Sequence, residues 1–188
     1  MRRGVLAILV CGLFTAARAE AQGAAAGTGT STGKPAVEIS DAMIAAARQI
    51  GLAALKPGVS VSDRNIAQSD TGGYNVSVAF VTRPATKVPS GRALSHDKIT
   101  EVYVVTRGSG KSMTGTLVKG THETGSTLIG PGYGSAAAIE NGHTVELKAG
   151  EMQIIPPGLG HVWTEIAEGG IDYMVIRVDP EKVTAVSK

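Results

Sequence analysis

The sequence predicts an all-β protein, a small barrel or sandwich with one packing helix at its N-terminal end. Three observations carry that prediction. Between Gly73 and Val178 the chain presents about nine short runs of alternating or β-branched residues, closely spaced and with no helical pattern between them. Glycine is abundant, 25 of 188 residues, which suits a chain that reverses direction often. Helical periodicity is confined to Val37–Ala54, where Met43, Ile44, Ala47, Ile50 and Ala54 make an apolar stripe behind a Ser40 or Asp41 cap. The length suits one domain, and a composition 43% hydrophobic and 18% charged is enough to build a core.

The elements follow in order. Residues 1–21 read as a secretory signal peptide: Arg2-Arg3, an apolar run from Gly4 to Ala16, and small residues at Ala17, Ala19 and Ala21. The run is too short to span a membrane comfortably. Residues 22–36, largely Ala, Gly, Thr and Ser, make a flexible linker. A helix is expected over about 40–52, ended by Gly51 or by Lys56-Pro57-Gly58, and a barrel over about 63–179 within a domain of residues 37–188. Strands are expected at Tyr74–Thr82, Thr100–Thr106, Lys111–Lys119, Thr144–Lys148, Met152–Ile155, His161–Ile166 and Ile171–Val178, with a shorter one at Ser126–Ile129. Arg107–Gly110 and Asn141-Gly142 read as hairpin turns between strands.

Export has two consequences. The net charge of +2 belongs to the leader, since removing Arg2, Arg3, Arg18 and Glu20 leaves basic and acidic side chains in balance. The mature chain therefore has no bias towards nucleic acid, and no stable membrane anchor remains after cleavage. Cys11 is lost with the leader, so a periplasmic or secreted product folds without disulfides, and any metal falls to histidine and carboxylate.

Two stretches carry chemistry. In Gly150–His161 an apolar strand stops at Pro156-Pro157, and Gly158 and Gly160 allow a tight reversal. The expected hairpin delivers His161 at the head of a strand, with Trp163 and Glu165 on the same face. In His96–Gly108, His96 enters a strand that Glu101 begins, with Tyr103 and Val105 on the glutamate's face. A carboxylate heading an apolar strand is costly to bury unless it is paired or bound to a metal.

These stretches resemble the two motifs of the cupin superfamily. Gly150, Pro156, Gly158 and His161 fit the second motif, Gly-x5-Pro-x-Gly-x2-His, at every fixed position, with Glu165 where an Asn is usual. His96, Glu101 and Gly108 fit the later part of the first, His-x-His-x4-Glu-x6-Gly, whose first histidine is replaced by Leu94. The resemblance covers roughly Gly73–Asp179. It implies a cupin-type jelly-roll β-barrel in which His96, Glu101 and His161 hold one divalent metal ion (Fe, Mn, Ni, Co or Zn). Tyr103, Trp163, Glu165 and Leu94 are the expected pocket-lining residues, with core packing as the alternative for the two aromatics. Leu94 opens a coordination position or weakens the site. His122 reads as a solvated loop residue or a fourth ligand, and His143 as a surface residue.

The resemblance implies a small-molecule ligand or substrate. Three functions stand: a metal-dependent enzyme of oxygenase, isomerase or lyase type, a non-catalytic module binding a metabolite or sugar, and a structural or storage role with a vestigial site, for which Leu94 is the argument. Barrel edges are compatible with a homodimer. No catalytic residue is assigned.

Overall fold

The computed structural model describes residues 35–135 and 139–185. The expected leader and most of the expected linker lie outside those residues. One helix, α1 (Asp41–Ala54), precedes nine strands: β1 (Ser62–Asp70), β2 (Asn75–Arg83), β3 (Ala93–His96), β4 (Thr100–Leu117), β5 (Thr121–Glu123), β6 (Gly132–Ser135), β7 (Ile139–Lys148), β8 (Met152–Ile155) and β9 (Gly160–Asp179).

The architecture rests on β4 and β9, which run antiparallel along their whole lengths, from Thr100 opposite Val178 to Gly115 opposite Gly160. Each serves two layers. One layer has the order β1-β2-β9-β4-β8 and uses the C-terminal half of β9 with the N-terminal half of β4. The other has the order β5-β6-β3-β9-β4-β7 and uses the opposite halves. The sheet thus folds over on itself as a jelly-roll barrel, an all-β fold with one packing helix as the sequence predicts. Between the layers lies one apolar core, including Val81, Tyr103, Val105, Leu147, Trp163, Ile166 and Tyr173.

Arg107–Gly110 is therefore not a hairpin turn. β4 continues through it, with register shifts at Val105/Arg107 and Gly108/Gly110 that bend the strand without ending it. Gly108 has φ +75°, and a Cβ there would sit 2.1 Å from the carbonyl oxygen of Gly170. Asn141-Gly142 lies inside β7, in a bulge opposite Gly115, and the positive φ of Asn141 (52°) serves the bulge rather than a turn. Ser126–Ile129, expected as a strand, is a turn, closed by Ser126 O accepting from the amides of Ile129 and Gly130, and the strand β6 forms just after it.

The helix is capped by Ser40, whose Oγ accepts from the Met43 amide. It continues through Gly51, where the glycine serves close approach rather than termination: a Cβ would meet Thr82 Oγ1 at 3.1 Å. Ala47 and Gly51 are buried, whereas Met43 and Ile50 are exposed, so the packing face is narrower than the apolar stripe suggested. Among the described residues no helix is long and apolar enough to cross a membrane.

Candidate metal centre and cavity

β8 and β9 do not pair with each other. β8 lies against β4 in one layer and the head of β9 against β3 and β4 in the other, so Pro156–Leu159 is a corner between layers. Gly158 adopts φ +78°, and Leu159 N donates to Pro156 O at 3.3 Å. The corner is pinned to the other chemical stretch, since Gly158 N donates to His96 O at 2.7 Å. His161 Nδ1 lies 3.2 Å from Leu159 O, which places the ring proton on Nδ1 and leaves Nε2 a free acceptor.

His96, Glu101 and His161 are all buried, at 6, 2 and 7% exposure, and one donor atom from each lies within 4.8 Å of the others. Both imidazole Nε2 atoms stand 3.6 Å from Glu101 Oε2. That exceeds a hydrogen bond. A single ion at about 2.1 Å from each donor would draw neighbours to roughly 3.0–3.4 Å, so the donors stand slightly wider than a bound cation would hold them.

The electrostatics suit a cation. Burial pushes His96 down from 6.5 to about 4, outweighing the attraction of Glu101, so its imidazole is neutral near pH 7. Burial lowers His161 in the same direction. Burial alone would raise Glu101, but Arg177 and then the two imidazoles overcome it and bring the carboxyl to about 2. The donor set is thus two neutral imidazoles and an ionised carboxylate, which fits a divalent first-row metal. Burial also moves proton competition for His96 well below the pH expected of an unperturbed histidine.

Glu101 is held from behind. Arg177 is its direct cross-strand neighbour, and its Nε donates to Glu101 Oε1 at 2.8 Å. The same guanidinium reaches Asp63 Oδ2 through Nη2 at 2.5 Å. Tyr103 Oη donates to Glu101 Oε2 at 3.2 Å. These contacts fix the carboxylate with Oε2 towards the imidazoles. The three donors open onto a cavity of about 270 Å³ between the layers. Leu94, opposite His161 in the β3–β9 register, lines it, as do Tyr103 and Trp163, whose rings stack at 6.1 Å between centroids.

Glu165 does not line it. A register shift places Lys111 opposite Glu165 and Ser112 opposite Trp163, so the alternation flips between Trp163 and Ile166. Ile166 turns inward, while Glu165 faces outward and is bonded by Lys87 at 2.7 Å and Lys111 at 2.6 Å. His122 is likewise apart from the three donors, paired with Asp97 at 2.8 Å, and His143 is exposed on β7.

Sequence reasoning missed the cavity's arginines. Arg83 ends the inward series Ala79-Val81-Arg83, and Arg177 ends Ile171-Tyr173-Val175-Arg177. A guanidinium in phase with an apolar strand face carries the same signal that singled out Glu101. Asp63 and Tyr173, partners of these arginines, had no comparable signal.

No family model matches the chain, and no curated protein matches it. Several solved structures are similar. A double-stranded β-helix protein from Klebsiella pneumoniae is 14% identical, over 82% of this chain and 99% of that one, with a TM-score of 0.46. KdgF from Halomonas sp. is 12% identical over 68% and 84%, at 0.42. A cupin protein from Bacteroides fragilis is 18% identical over 61% and 73%, at 0.34. These overlaps are shallow, and no activity transfers from them.

Proposed function

We propose that this chain is an exported small metal-binding barrel of cupin type that holds one divalent cation on His96, Glu101 and His161. The observation that carries the reading is the convergence of two neutral imidazole nitrogens on one ionised carboxylate oxygen, with all three residues buried and facing the same cavity. A cation there would act as a Lewis acid towards an oxygen-bearing small molecule. The chain's own residues do the rest. Arg177 and Tyr103 orient Glu101, Leu159 O sets the His161 tautomer, and the apolar walls limit access of water. Export is supported by the character of residues 1–21, and the mature N-terminus would be Glu20 or Gln22.

A non-catalytic module is the second reading, and Leu94 favours it. A three-donor site whose carboxylate already shares a buried arginine holds its cation less tightly than a four-donor one. The test is elemental analysis of the mature protein after exposure to excess Zn(II), Mn(II) or Ni(II) and desalting. Stoichiometric metal in the wild type and almost none in His161→Ala supports the proposal; equal metal in both contradicts it. A mature terminus still at Met1 contradicts export.

A further inference from the structure

Three guanidinium groups line the cavity, and two have their counter-charges. Arg177 takes both Asp63 and Glu101, while Arg92 pairs with Glu123. Arg83 is different. Its Nε donates to Tyr173 Oη at 2.9 Å, and its Nη1 donates to Ser90 O and Oγ, each at 3.1 Å. Among the described residues it forms no ion pair, and its Nη2 has no hydrogen-bond acceptor.

Tyr173 sharpens the point. Its oxygen already accepts from Arg83 Nε and from Trp163 Nε1, the latter at 3.1 Å, while its own O–H has no acceptor among the described residues. The cavity wall therefore presents a cation and a neighbouring hydroxyl, both with donor capacity left over and neither matched by an acceptor. Donors that face a cavity in this way take their acceptor from what enters it, and a guanidinium favours an anion. Val61, Val81 and Val175 give the same cavity an apolar stretch of wall. A volume near 270 Å³ equals the share of liquid occupied by about nine waters, room for a small organic molecule only.

We propose that the cavity binds a small organic carboxylate, its carboxylate on Arg83 Nη2 within reach of the Tyr173 hydroxyl and its carbon chain among the valines. The inference names the ligand class of the small-molecule reading above and rests on it. A carboxylate is favoured over phosphate because one free guanidinium nitrogen beside one hydroxyl matches the two oxygens of a planar monoanion, whereas a phosphate carries more charge and more acceptors than these two donors can meet. The charges agree. Asp63 and Glu101 balance Arg177 and Arg83, so an added divalent cation leaves the cavity positive, and an anionic ligand offsets that excess.

The test is calorimetric titration of the mature protein, metal-loaded and metal-free, with sodium propionate, with its neutral isostere propionamide, and with inorganic phosphate. Propionate should bind, and propionamide should bind at least about tenfold more weakly. Arg83→Gln should weaken propionate about 10- to 100-fold while leaving metal stoichiometry unchanged. Should Arg83→Gln fail to fold, Arg83→Lys keeps the charge without the Nη2 donor and should show an intermediate loss. In the wild type, propionate should also protect Arg83 from phenylglyoxal, read by peptide mass spectrometry. Absent propionate binding, tighter binding of phosphate, or unchanged affinity in the arginine variants each overturns the carboxylate site. Retained metal alongside that failure leaves the metal reading intact. Propionate binding to protein that takes up no metal fails the metal reading alone.

Discussion

Glu101 and Asp172 are buried almost equally, at 2 and 1% exposure, yet the barrel treats them in opposite ways. Asp172 lies on β9 beneath the helix, where Arg48 and Arg107 both donate to its Oδ2, at 2.7 and 2.6 Å. Both guanidinium groups are partly in water, at 40 and 39% exposure. Glu101 has one cation, Arg177, itself 3% exposed and shared with Asp63. Its Oε2, which accepts from the Tyr103 hydroxyl, also faces two neutral imidazoles at 3.6 Å. Asp172 ties α1 to the barrel by charge pairing. Towards the cavity, Glu101 faces two imidazole nitrogens in place of a second cation, an arrangement that leaves room for a metal ion. A buried carboxylate thus marks a structural link or a ligand site according to what faces it.

The largest predicted effect breaks this comparison at Arg177. Arg177→Ala should destabilise the protein by about 3–5 kcal/mol in chemical denaturation, because it leaves the buried Glu101 without its cation. A cost no greater than that of Arg107→Ala would show the two carboxylates to be equivalent.

Acid should separate the sites next. In metal-free protein the His96 imidazole is neutral down to about pH 4, whereas the unfolded chain takes up that proton near 6.5. The unfolded state therefore binds more protons between those values. Stability is fully present above pH 6.5 and falls as pH drops towards 4, by on the order of 3 kcal/mol from this group. Asp172, held below 3.8 by its arginines against the opposing effect of burial, contributes stability that is lost only at lower pH. Melts at pH 7, 5.5 and 4 should show the first loss in wild type and a smaller one in His96→Gln; identical pH profiles would contradict it.

Leu94→His sharpens the ligand side. A third imidazole, the fourth donor, opposite His161 should tighten metal binding about tenfold or more in competition with a chelator. Unchanged affinity would place the ion away from Leu94. The smallest effect is expected at the structural pair: Arg107→Ala should cost about 1 kcal/mol or less, since Arg48 remains on Asp172 and the pair is partly solvated.

The sequence made the site more legible than the path of the strands. Glu101, His96 and His161 stood out because ionisable residues at strand heads break an apolar pattern, and their convergence needed only the pairing of β3, β4 and β9. The breaks in β4 and β9 were misread because Gly108 and Gly169-Gly170, with positive φ, look the same in sequence whether a strand turns or bends. Only the facing strand decides, and it lies about 60 residues away: Gly108 opposes Ile171. Glu165 was misplaced for a related reason, since strict alternation cannot foresee a register shift between Trp163 and Ile166. Arg83 and Arg177 were legible in phase and overlooked, because terminal positions of apolar runs read as solvent-facing ends.

The most direct test is an anomalous difference map from crystals of the mature protein grown with Mn(II) or Zn(II). The account predicts one strong peak about 2.1 Å from His96 Nε2, His161 Nε2 and Glu101 Oε2, with Arg177 still on Glu101 Oε1. A map with no peak among those three residues, or with its only peak at the exposed His122–Asp97 pair, would contradict it.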